Sequence, residues 1–153
     1  KELCRLDEIY SAVKAPFEIR SGSEKVTRRF FKICNNGREN FTGLYKSLTE
    51  QGICKGHQCI AYGLYMRDNG IELSEGLAVY GYSICSAIVT NCVKLVHRSQ
   101  LAGQKILGES FELISSASEK ALFTDINDIG ISGAGFDLRA MQHERLYSRQ
   151  YMS

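Results

Sequence analysis

The sequence predicts an all-α fold, a helical bundle of about six to seven helices with a C-terminal tail. Three observations lead there. Apolar residues recur at helical spacing through successive segments, as in Leu3, Leu6, Tyr10 and Val13. The segments end at residues able to take a positive φ, at Asn35-Asn36-Gly37, near Gly52 and at Asn69-Gly70. No run alternates apolar and polar residues as a half-buried strand would, and no internal repeat is visible.

Each element has its own local reason. Pro16 breaks the first helix and supplies a first-turn proline to the second, whose apolar residues are Phe17, Val26, Phe30, Ile33 and Cys34, with Gly37 as its stop. Phe41, Leu44, Tyr45 and Leu48 make a third helix, and Ile60, Leu64 and their neighbours a fourth. Ser74 is the expected N-cap of a long central helix with the face Leu77, Tyr80, Ile84, Ile88, Cys92 and Leu95. A sixth helix, capped by Ser99, buries Ile106, Leu107, Phe111, Ile114 and Leu122 and turns Lys105 outward. Glycines 63, 76, 81, 103 and 108 fall within helices, where they imply close approach of neighbours. Residues 124–137, TDINDIGISGAGFD, read as a loop, and 138–153 as a C-terminal helix and partner-docking tail. Residues 1–123 form the bundle, a single domain overall.

Composition excludes several function classes. The 153 residues are 44% hydrophobic and 24% charged, as in an ordinary globule. The net charge of +2 comes from 19 basic and 17 acidic residues with no basic run, which argues against nucleic acid. Leu77 to Val96 carries too many polar residues for a membrane span. The opening KELCRLDEIY has no signal-peptide core and reads as the inside of a longer protein. Six cysteines in this pattern read as free thiols in a reducing cytoplasm rather than as a disulfide framework.

The chemistry-bearing residues are sparse. The three histidines, His57, His97 and His143, have no metal-ligand spacing. Cys54, His57 and Cys59 could gather a soft metal but match no recurrent site, and the plainer expectation is buried thiols beside a capping or core histidine. No metal site is expected, and His57, Cys59 and His143 are the residues that would be candidates for one. His143-Glu144 begins like a zinc-protease HExxH motif, but Tyr147 stands where the second histidine belongs. GISGAG, residues 130–135, lacks the strand and the Gly-Lys-Ser/Thr of a phosphate loop, and no cysteine has the context of a nucleophile. Neither a catalytic residue nor a cofactor is expected. The ending MQHERLYSRQYMS carries Met141, Leu146, Tyr147 and Tyr151 as anchors and Arg139 precedes it, with Arg145 and Arg149, as donors. Tyrosine and arginine are the types that most often carry interface energy, so the segment either docks a partner or packs on its own domain.

These residues resemble the UreF family of urease accessory proteins. The ending HERLYSRQYMS is similar to the family's HE-x-x-YSR signature, and HQCIAYGLYMRDNGI, YGYSICSAIVTNCVKLV, SQLAGQKIL and PFEIRSGSEKVTRRFFK agree with upstream segments. The likeness covers nearly the whole chain, with no counterpart of the family's N-terminal third and with His97-Arg98 in place of a proline and an apolar residue. It implies an all-α fold, no enzymatic activity, homodimerisation, and a cytoplasmic adaptor that joins UreD/UreH and the GTPase UreG to apo-urease for nickel insertion. A small nickel-binding carrier and a direct GTPase activator of UreG are the alternatives. The partner-binding residues carried over or added by side-chain type are Lys94, Arg139, His143, Glu144, Tyr147, Ser148, Arg149 and Tyr151, with Arg149 ordering the GTPase-docking surface.

Overall fold

The computed structural model describes residues 1–34, 40–96, 99–130 and 133–147. Among them there is no strand. The elements are α1 (Glu2–Val13), α2 (Phe17–Ile33), α3 (Asn40–Glu50), α4 (Gln58–Asp68), α5 (Leu73–Leu95), α6 (Gln100–Glu109), α7 (Phe111–Leu122) and α8 (Ala134–His143), with a 3-10 turn at Ile126–Asp128. The all-α class follows the sequence; several boundaries do not. Ser110 divides the single helix expected after Ser99: its hydroxyl donates back to the Ile106 carbonyl at 2.8 Å, a bond that competes with helix continuation. Ser74 is not a cap, since α5 starts one residue before it behind Glu72. Ser99 is one, its hydroxyl accepting from Ala102 N at 3.1 Å. α8 begins at Ala134, inside the segment read as a loop. Gly37, the expected stop of α2, lies outside the described residues; the helix closes at Ile33 with Cys34 as C-cap.

The described residues divide into two compact units, Lys1–Asn69 with Asn127–Ser153, and Gly70–Ile126. In the first, Phe31, Tyr45, Cys54, Ile60 and Ala61 form the core, flanked by Leu3, Leu6, Phe30 and Leu64. Phe30 stacks on Tyr62 with ring centroids 4.5 Å apart and meets Tyr65 edge-on. The inner stripe of α2 is not the apolar one expected. Val26 and Ile33 are exposed, while Ser23, Thr27 and Phe31 are buried at four-residue intervals. Small hydroxyl side chains suit this position because the α3–α4 connection lies against them. Ser23 Oγ accepts from Gln58 N at 3.0 Å, capping α4, and Thr27 returns its proton to the Ser23 carbonyl. Gly56 there has φ +88°, and a Cβ on it would stand 2.8 Å from Thr49 Cγ2 and 3.6 Å from Thr27 Cγ2.

At the centre of this unit sits a buried polar node. Asp7 is 2% exposed and accepts from Tyr45 OH at 2.6 Å, Lys55 N at 2.7 Å and Gly56 N at 3.1 Å. The Tyr45 oxygen in turn accepts from His57 N at 2.7 Å. Burial first, then the Asp7 hydrogen bond, pushes the Tyr45 hydroxyl far above its ordinary value, so it stays a donor. Ser11 gives its proton to the Asp7 carbonyl at 2.8 Å and lies 2.7 Å from His57 Nε2. Nε2–H is therefore the donor of that contact, leaving Nδ1 bare and buried without a hydrogen-bond partner among the described residues. One more carboxylate serves a neighbour's backbone. Asp68, ending α4, accepts from Phe41 N, Thr42 N and Thr42 Oγ1 and so caps α3. Burial opposes its charge, but the Thr42 and Phe41 donors outweigh it and hold the carboxyl below its usual value.

In the second unit, α5 packs on α6 and α7. The packed stripe is rotated from the expected one: Ile84, Ile88, Cys92 and Leu95 are exposed, and contact runs through Gly81, Val89 and Val93. A Cβ on Gly103 would stand 2.7 Å from Val93 Cγ2, and one on Gly81 would stand 3.0 Å from Ile114 Cγ2. Glycine lets the helices approach, and the smaller side chains then win the inner face from the isoleucines. Leu107 and Ile114 are buried as expected, whereas Ile106, Phe111 and Leu122 are not. Gly63 and Gly108 meet nothing within 4 Å and have no close-approach role here. By length and composition α5 is long and apolar enough to cross a membrane, contrary to the reading of 77–96.

The node gives two expectations. Asp7→Asn, which faces an amide donor toward N–H and O–H donors, should lower unfolding free energy by about 3 kcal/mol in urea titrations. Tyr45→Phe, which leaves His57 N without an acceptor, should cost about 1–3 kcal/mol. Burial lowers the His57 pKa, so at pH values below the unfolded imidazole's ordinary 6.5 only the unfolded state gains a proton. The urea midpoint should therefore hold above that pH and fall as pH drops through it towards the lower folded value, and His57→Gln should flatten that slope.

Candidate partner-docking site

The described part of the C-terminal segment is built on α2. Pro16 at the N-cap leaves the first N–H groups of α2 unmatched by any side chain of its own, and its carbonyl end starts the helix in extended geometry. α8 packs along α2 and delivers the required acceptor. Glu144 Oε1 accepts from Phe17 N at 2.8 Å and Glu18 N at 3.4 Å. A carboxyl group at a helix N-terminus gains from both the unmatched donors and the helix dipole. His143 adds a second tie, its Nδ1 lying 2.6 Å from Glu18 Oε2.

Two of the eight residues assigned to partners from the sequence, His143 and Glu144, thus make contacts within the chain. Both are partly buried. Just beyond them the side chains turn outward: Arg145 and Leu146 are exposed, and Tyr147 is fully exposed. On α8 itself Phe136, Leu138 and Arg139 are exposed as well. The result is an apolar and cationic surface beside a fixed anchor. Ser148, Arg149 and Tyr151 lie outside the described residues, as do His97 and Arg98.

Lys94 belongs to the other unit. It is exposed near the end of α5 and borders a groove of about 380 Å³ with Val93, Gln100 and Gln104. A larger groove of about 650 Å³ runs between α5 and α7, lined by Val79, Tyr82, Phe111 and Leu122, with Tyr82 and Phe111 stacked 5.9 Å apart.

The candidate metal ligands are dispersed. His57 is fully buried at the N-cap of α4 and engaged with Ser11. Cys59, on α4, has its thiol pushed up by burial, and His143 faces Glu18. Among the described residues no three His, Cys, Asp or Glu side chains form a group able to hold a metal ion. Sequence reasoning missed Glu18, the common partner of His143 and Glu144. The signal was present: an acidic residue in the first turn after a proline marks a helix start that lacks its own cap.

Residues 1–110 match the UreF family model. The urease accessory protein UreF of Actinobacillus pleuropneumoniae serotype 3 (strain JL03) is 34% identical over 153 residues, covering 99% of this chain and 67% of that protein. The UreF of Paenarthrobacter aurescens (strain TC1) is 30% identical over 152 residues, with 97% and 67% covered. That of Haemophilus influenzae is 33% identical over 153 residues, with 99% and 65% covered. The chain thus spans about two thirds of these relatives' length, and the likeness extends past the family match towards the HERLYSRQYMS ending. An all-α chain with that ending, matched over most of its length by UreF proteins, belongs to the UreF family of urease accessory proteins.

Proposed function

We propose that this chain is a non-enzymatic, cytoplasmic adaptor that joins UreD/UreH and the GTPase UreG to apo-urease for nickel insertion, and that it acts as a homodimer. The family places it in urease maturation. The observation that carries the adaptor reading is the anchor at α2: Glu144 and His143 hold the chain on Phe17 and Glu18 immediately before the exposed Tyr147. An interface gains when its anchoring side chains leave a rigid base, because less freedom is lost on binding. Tyr147, Arg139 and Arg149 supply the rigid aromatic and the guanidinium forks that interfaces favour. Lys94 offers a second charged contact. His143 and Glu144 then position the docking side chains. Exposed Ile84, Ile88 and Leu95 on α5 supply apolar surface for a second copy.

The test is capture of purified UreD/UreH and UreG by the full chain, by a chain ending after Glu144, and by point variants. Cutting after Glu144 keeps the α2 cap, so loss of both partners assigns docking to residues 145–153, and retention of both overturns the reading. Tyr147→Ala should weaken capture about tenfold or more with the thermal midpoint unchanged. Arg149→Lys should also weaken it, because lysine lacks the planar fork. Glu144→Ala should cost about 1 kcal/mol in stability through the lost cap and weaken capture together, whereas Glu144→Gln, which keeps an acceptor, should be milder in both.

A further inference from the structure

Two of the six cysteines meet across elements distant in sequence. Cys4 on α1 and Cys54 in the α3–α4 connection have their sulfurs 3.9 Å apart, both as free thiols. Cys54 is 3% exposed, whereas Cys4 is only partly buried and open to a small reagent. By contrast, Cys85 and Cys92 share α5 at a separation of about two turns, too far to bond.

We propose that Cys4 and Cys54 are a reversible redox pair, oxidised by a low-molecular-weight disulfide such as oxidised glutathione to a bond that staples α1 to the α3–α4 connection. The sulfurs already touch. Closing to the covalent distance of about 2.05 Å asks for a change that side-chain rotation and a small backbone shift can share. The steps balance as two exchanges. The Cys4 thiolate attacks one sulfur of oxidised glutathione, forming a mixed disulfide and releasing one glutathione thiolate. Cys54, losing its proton, attacks the Cys4 sulfur of that mixed disulfide and releases the second glutathione. Two protein thiols are oxidised, one glutathione disulfide is reduced to two thiols, and the two protons pass to the released thiolates through solvent.

The surroundings favour closure between these two. Lys55 and Gly56, next to Cys54, are held by the Asp7 side chain of α1, one turn from Cys4, so both partners are positioned before any oxidant arrives. Burial, with the neighbouring Cys4 thiol and the Asp7 charge, pushes the Cys54 thiol up to about 12. Cys4 is thus the entry point, and the closing step accelerates as pH rises.

The full chain, incubated natively with oxidised glutathione, should be alkylated in denaturant, digested and mapped by mass spectrometry without reduction. The expected result is a Cys4–Cys54 linked peptide as the main cross-link, lost after dithiothreitol and formed faster at pH 9 than at pH 7. The staple, closing a loop of about 50 residues, should raise the thermal midpoint by roughly 10 °C over the reduced protein. A glutathione adduct that persists on Cys4 while Cys54 is alkylated would overturn the proposal, as would cross-links scattered over other cysteines. Cys4→Ser should abolish the linked peptide; since the map of the unaltered chain decides by itself, a poorly folding variant changes nothing.

Discussion

The first compact unit depends on one buried carboxyl group. Asp7 binds the Tyr45 hydroxyl and two consecutive backbone N–H groups, at Lys55 and Gly56, and through Tyr45 reaches His57 N. α1 is thereby fixed against α3 and the α3–α4 connection, distant from it in sequence, by directional bonds inside an apolar shell. Hydrophobic burial alone would tolerate sliding of α1 over the core formed by Phe31, Ile60 and Ala61. The node does not, because every displacement leaves a buried donor or acceptor unmatched, at a cost comparable to a substantial part of a domain's net stability.

A second constraint follows from how the helices begin. α2 and α4 have no side-chain cap from their own N-cap residues, and α2, α3 and α4 each take an acceptor from another element: Glu144, Asp68 and Ser23. Borrowed caps do two things that local ones cannot. They satisfy the first-turn donors, and they record which helix lies beside which. Arg67 over the Phe41 ring, next to the Asp68 cap, reinforces the α3–α4 pairing in the same way. In the second unit the equivalent specificity comes from shape, through Gly103 seated against Val93 and Val89.

Helix existence was legible in the sequence because periodicity and glycine stops are local signals. Gly52 and Gly70 both have positive φ at the ends of α3 and α4, as their composition foretold. Which face turns inward was less legible. The isoleucines of α5 and the Val26 and Ile33 of α2 outrank their neighbours in hydropathy, yet Val89, Val93, Ser23 and Thr27 are the ones packed, because the available gap rewards small volume over apolarity. Asp7 gave no signal at all, since an acidic residue on an amphipathic helix looks like a solvated one. The C-terminal segment stands out in the sequence by its tyrosines and arginines. The inward role of His143 and Glu144 does not, because their partners lie at the opposite end of the sequence.

That last separation has a consequence for synthesis. The bond from Glu144 to Phe17 spans 127 positions, so α2 leaves the ribosome with its first turn incomplete and stays so until residue 144 has been made. Closure over such a length forms late, after the local helix pairs. A nascent chain stalled before residue 144 would carry a frayed α2, leaving its first-turn backbone N–H groups open to proteases and chaperones. The surface beside Tyr147 is then offered only by molecules in which α8 has already closed on α2.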